Sequence, residues 1–194
     1  MKNILMFEDD KRVMDMVEEA NSLGAAVVYN DVEALLIDYK ENLELSSLAK
    51  VRDKFLKEDK TFGMMNTKVS DDKRSLSHQF VFVTAREDQR EYSIITMAHE
   101  IGHMLDFNRR GDEFLAYHIS TTQFEIEINA WKEGFKLLKR KGVRLNLSLN
   151  EIIDDFISSI DTYVFGYKSF YEELLQDEVV ELIKDYYKEV VING

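Results

Sequence analysis

Residues 90–106 restrict the architecture more than any other stretch of the chain. Read as a helix, they put Ile94, Met97, Ala98, Ile101, Met104 and Leu105 on one side. His99, His103 and Asp106 fall on the other, with Glu100 at the margin. Such a helix must press one face into a core and turn the other toward a cleft. Side chains four apart lie above one another, so the two imidazoles can converge on one cation. Glu100, about 100° further round the helix, stands beside that cation rather than on it. His99-Glu100-Ile101-Gly102-His103 is therefore an H-E-x-x-H run, two metal ligands and a general base on one turn. The chain has four histidines, and two of them fall at this spacing. Two histidines opposite an apolar stripe, with a glutamate beside them, favour a metal over a pair of hydrogen-bonded core histidines.

A zinc ion that works on a substrate needs a third protein ligand and an open fourth position. Downstream candidates are Glu125, Glu127, Glu133 and His118. In a helix over 123–141 the apolar stripe is Phe124, Ile128, Trp131, Phe135 and Leu138. Glu127 lies at the edge of that stripe, whereas Glu125 and Glu133 point away from it. Helical phase thus favours Glu127, and Ala130 and Gly134 are small enough to let this helix approach the histidine helix closely. His118 is the rival. The short H-E-x-x-H-x-x-G-x-x-H form is absent, because Asp106 stands at the glycine position and Arg109 at the histidine position. A histidine as distant as His118 remains an alternative ligand, as does Glu125. His118 or Tyr117 could otherwise donate a hydrogen bond to a tetrahedral intermediate, against the plainer roles of surface histidine and packing tyrosine. Asp106 reads either as an acceptor that orients a ligand imidazole or as an exposed carboxylate.

No proline and eight glycines punctuate the chain, which suits a mostly helical fold. Apolar spacing predicts helices over 11–23, 31–58, 91–107 and 123–141, with Gly142 as a stop, then two more over 148–165 and 169–191. Residues 78–84 are the best strand, and within it 80–83 could pair with an extended peptide. Residues 61–77 and 108–122 read as loops. The expected class is α+β, predominantly helical, with a short β-sheet. A single domain over 1–194 would comprise an N-terminal helical region (1–60), a catalytic core (78–141) and acidic C-terminal helices (148–194).

The net charge of −12 is uneven, and residues 151–194 carry 3 basic against 11 acidic groups. An acidic surface repels nucleic acid and anionic lipid, so neither is expected as a direct partner. The acidic tail reads as solvated helix faces, or else as a docking surface for a basic protein. With no cysteine, disulfides and thiolate ligands are both excluded. No apolar run reaches the length of a membrane span, and acid follows the short apolar start at Glu8-Asp9-Asp10, unlike a signal peptide. The expectation is a cytoplasmic protein.

The run Arg90-Glu91-Tyr92-Ser93-Ile94-Ile95-Thr96-Met97-Ala98-His99-Glu100-Ile101-Gly102-His103-Met104-Leu105 resembles the zinc helix of ImmA/IrrE-type metallopeptidases, a gluzincin-like H-E-x-x-H family. Glu127-Ile128-Asn129-Ala130-Trp131 is similar to that family's third-ligand helix, and the likeness covers residues 78–140. It implies a small zincin-like fold in which His99, His103 and Glu127 hold Zn2+. Glu100 would be the general base that hydrolyses a peptide bond of an intracellular protein through a zinc-activated water. The family's usual Leu-Met-Pro ending is missing, and no helix-turn-helix module is evident. The alternative is a regulatory binding protein that keeps a zincin-like fold without cleaving its partner.

Overall fold

The computed structural model describes residue 7 and residues 9–29, 63–70, 76–83, 87–160 and 170–193. The helix expected over 31–58 lies outside them. The described residues are mostly helical, with three short strands.

Helix α1, Lys11–Ser22, starts at Asp10, whose carboxylate accepts from the Arg12 backbone N–H at 3.0 Å and caps the first turn. Its Val13, Met16, Val17 and Ala20 are buried, the i, i+3, i+4, i+7 stripe of an amphipathic helix. The Arg12 guanidinium also reaches Glu91 at 2.8 Å and the Arg144 carbonyl at 2.8 Å, tying three distant segments together. Gly24, at φ 90°, makes the left-handed turn into strand β1, Ala26–Tyr29.

Strand β3, Leu76–Val83, is central, parallel to β1 on one side and antiparallel to β2, Gly63–Val69, on the other. Residues 80–83 therefore have both backbone edges occupied, and they are not the edge that an extended peptide could join. One reading from local pattern fails here. Residues 63–69 are a strand rather than loop, because pairing to β3 supplies the stability that their unpatterned Gly-Met-Met-Asn-Thr-Lys-Val lacks. Between Asn66 and Thr67 the register shifts, which brings Thr67 opposite His78. Thr67 Oγ1 then lies 2.8 Å from His78 Nδ1, and His78 Nε2 lies 2.9 Å from Asn108 Oδ1, so this buried histidine is satisfied between sheet and helix.

Helix α2, Arg90–Arg110, has 21 residues and runs for about 31 Å. The sheet packs on one side of it, α1 nearby, and α4, Gln123–Lys141, on the other. Ile94, Met97, Ala98, Ile101 and Met104 are buried in the main core, as their phase requires. Between α2 and α4 the stretch 108–122 is not a loop. Helix α2 continues to Arg110, a 3₁₀ turn spans Gly111–Glu113, and helix α3 occupies Phe114–Ser120. Seven residues are too few to show periodicity. A small cluster of Phe107, Phe114 and Ile126 holds α3 in place instead.

Helix α4 begins at Thr122, whose hydroxyl accepts from the Glu125 N–H at 3.2 Å, and stops at Gly142 in the left-handed region. It approaches α2 closely enough that a Cβ at Gly102 would lie 2.1 Å from the Ala130 carbonyl oxygen. Helix α5, Leu149–Ile160, is capped by Ser148 and Glu151, and α6, Phe170–Tyr186, runs on as a π-helical turn over Tyr187–Ile192. Tyr186 is fully buried and donates to the Val143 carbonyl at 2.7 Å, locking the chain after α4 onto α6. The acids of α6 and its π-turn are partly spent inside the molecule. Glu178 pairs with Lys132, and Asp185 and Glu189 both pair with Lys139 in the basic last turn of α4. Among the described residues, no helix is long and apolar enough to cross a membrane.

Candidate metal centre

His99 and His103 leave α2 one turn apart on the side that meets α4, and Glu127 reaches them from the second turn of α4. His99 Nε2 lies 3.1 Å and His103 Nε2 3.4 Å from the same oxygen, Glu127 Oε2. Ligand atoms held at about 2.0–2.1 Å in a tetrahedral zinc site stand about 3.3 Å apart, so these separations fit such a site. All three residues are buried, and among the described residues they form the one His/Asp/Glu group able to hold a metal ion.

The close contact of α2 with α4 produces this convergence. Gly102 faces Ala130 and Gly134, and a Cβ at Gly134 would lie 2.8 Å from the Ala98 carbonyl oxygen. Backbone meets backbone there, which carries Glu127 within reach of imidazoles on the adjoining helix. The Trp131 ring, one turn beyond Glu127, packs against the His99 ring with centroids 4.5 Å apart. The two imidazoles themselves meet edge to face at 4.7 Å.

Electrostatics divide the two glutamates. Burial works to raise the Glu127 pKa, but hydrogen bonds and charge from His103 and His99 outweigh it and hold the carboxyl well below the usual range. Glu100 goes the other way. Its burial pushes the pKa up, only partly countered by His99 and His103. The Met65 backbone N–H of β2 donates to Glu100, and Gly63 sits so close that a Cβ there would fall 2.6 Å from Glu100 Oε1. The surroundings thus favour the ionised form of Glu127 and the neutral form of Glu100.

The remaining sequence candidates fall elsewhere. Glu125 is the cap partner of Thr122, and Glu133 pairs with Lys136 at 2.9 Å and reaches Arg109 at 4.0 Å. His118 is exposed on α3 and stacks on Phe114 at 5.8 Å, with Phe107 between it and the His103 ring. Tyr117 accepts from Asn129 Nδ2 at 2.8 Å, and the Arg110 guanidinium lies over its ring at 3.2 Å. Asp106 is neither exposed nor hydrogen-bonded to an imidazole in the described contacts. It is 1% exposed and accepts from Arg109 at 2.5 Å and from Arg110 Nε at 3.0 Å.

Sequence reasoning overlooked Gln123, whose Nε2 donates to Glu127 Oε1 at 2.7 Å. The signal was present, since Gln123 and Glu127 are four apart on one helix face. Met65 carried no such signal, because its backbone N–H reaches Glu100 only through strand pairing. Comparison of the chain with family models, curated proteins and solved structures gives no match.

Proposed function

We propose that this chain is a zinc-dependent peptidase of the ImmA/IrrE type, acting on a protein or peptide substrate. The observation that carries this reading is the convergence of His99 Nε2 and His103 Nε2 on Glu127 Oε2, at 3.1 and 3.4 Å, with Glu100 beside them. A donor set of two imidazoles and one carboxylate suits zinc, and a bound ion would supply Lewis acidity to water and to the substrate carbonyl. Glu100 then takes the proton of the attacking water and delivers it to the leaving amine. Of the three described strands, β2 is the outer one beside Glu100, so an extended peptide would pair along β2 rather than β3.

Metal content and hydrolysis test the reading together. The purified protein is expected to hold about one zinc per chain, as a three-ligand site implies. Glu100→Gln is expected to keep the metal and abolish Glu100-dependent fragments of co-expressed substrates. Absence of zinc after gentle purification would refute the proposal. Zinc binding with no cleavage by the wild-type protein would favour the regulatory binding protein instead.

A further inference from the structure

The two oxygens of Glu127 have separate partners. Oε2 faces both imidazoles at 3.1 and 3.4 Å, whereas Oε1 accepts the Gln123 amide at 2.7 Å. Gln123 is the first residue of α4, directly after the Thr122 cap, and its own side chain is at the surface. Its amide engages the carboxylate from outside the buried group. A carboxylate with one oxygen held this way presents the other to a cation, so one coordination position stays open for water or substrate.

We propose that Gln123 is a positioning residue of the metal centre, which keeps Glu127 a one-oxygen ligand. The inference rests on the metal reading above and adds a residue and a role to it. Without the amide, Oε1 is released, the carboxylate turns about its Cγ–Cδ bond, and both oxygens become available to the ion. The loss should therefore change coordination geometry as well as affinity. Partners that orient a ligand in this way typically alter metal affinity about 10–100-fold.

The test uses Gln123→Met, similar in length but unable to donate, and Gln123→Ala. Zinc affinity is read by competition with a chromophoric chelator, and geometry by the visible d–d absorption of the Co2+-substituted protein. Thr122→Ala serves as the control, because it weakens the start of α4 without touching Oε1. Both Gln123 variants are expected to bind zinc about 10–100-fold more weakly than wild type. Their cobalt bands should lose intensity as the ion gains a ligand atom. Thr122→Ala should lower stability and leave affinity and cobalt spectrum as in wild type. Unchanged affinity and spectrum in both Gln123 variants would overturn the proposal and leave the metal reading intact. If Thr122→Ala reproduced their spectral change, the effect would be fraying of α4 and the proposal would also fall. A wild-type protein that binds neither metal would overturn both.

Discussion

Replacing Gly102 by alanine probes the contact on which the candidate metal centre depends. The added methyl would lie 2.1 Å from the Ala130 carbonyl oxygen, 2.9 Å from the Gly134 nitrogen and 3.0 Å from the Ala130 carbonyl carbon. All three are backbone atoms of α4, which cannot step aside as a side chain end would. A carbon and an oxygen need roughly 3.2 Å, so the helices would have to part by about 1 Å. Overpacking of this kind typically costs about 1–3 kcal/mol and occasionally more. Against it stands the gain of alanine over glycine inside a helix, about 1 kcal/mol. With backbone on both sides, the upper part of the overpacking range applies, for a net loss of about 2 kcal/mol. In a chain of this size that lowers the melting temperature by about 4–8 °C. The same parting would stretch the 3.1 and 3.4 Å separations between the imidazoles and Glu127, so zinc affinity should fall with stability. Thermal unfolding of the metal-free protein and chelator competition measure the two effects. An alanine variant as stable as wild type, or more stable through helix propensity alone, would refute the close-contact argument.

Two other perturbations test assignments made above. Glu125→Ala keeps the backbone N–H that the Thr122 hydroxyl caps and removes only the exposed side-chain contact, so it should cost no more than about 0.5 kcal/mol in urea unfolding. Zinc binding should persist, and loss of the metal in that variant would return Glu125 to the ligand set. The Asp10 carboxyl titrates below its ordinary 3.8, chiefly through the hydrogen bond from Arg12, so its ionised form stabilises the fold above that value. This contribution is lost as pH falls through the lowered folded-state pKa. Asp10→Asn should therefore be less stable than wild type at pH 7, by about 1 kcal/mol for a charged hydrogen bond replaced by a neutral one. The gap should narrow in unfolding curves recorded below about pH 4. A gap that stays constant with pH would show that the Arg12 pairing contributes nothing.

Much of the helical framework was legible because local pattern carries it. The range 123–141 coincides with α4, since Thr122 and Gly142 supply cap chemistry at both ends of an unbroken apolar stripe. His99, His103 and Glu127 were legible for the same reason, helical phase assigning each to a face before any tertiary contact was considered. Residues 63–69 and 114–120 were not legible. A strand that exists by pairing with β3, and a helix of seven residues held by Phe107 and Ile126, leave no repeating signature in their own residues.

Composition and periodicity thus settled which residues could bind a cation and which faces must be buried, because both follow from a 3.6-residue repeat within one helix. Tertiary structure decided the rest. Bringing Glu127 within reach of the two imidazoles required α4 to lie against α2 at Gly102 and Gly134, and placing Met65 beside Glu100 required β2 to pair with β3. These are contacts between segments distant along the chain, and their geometry is set by how closely two backbones can approach rather than by any spacing within one of them.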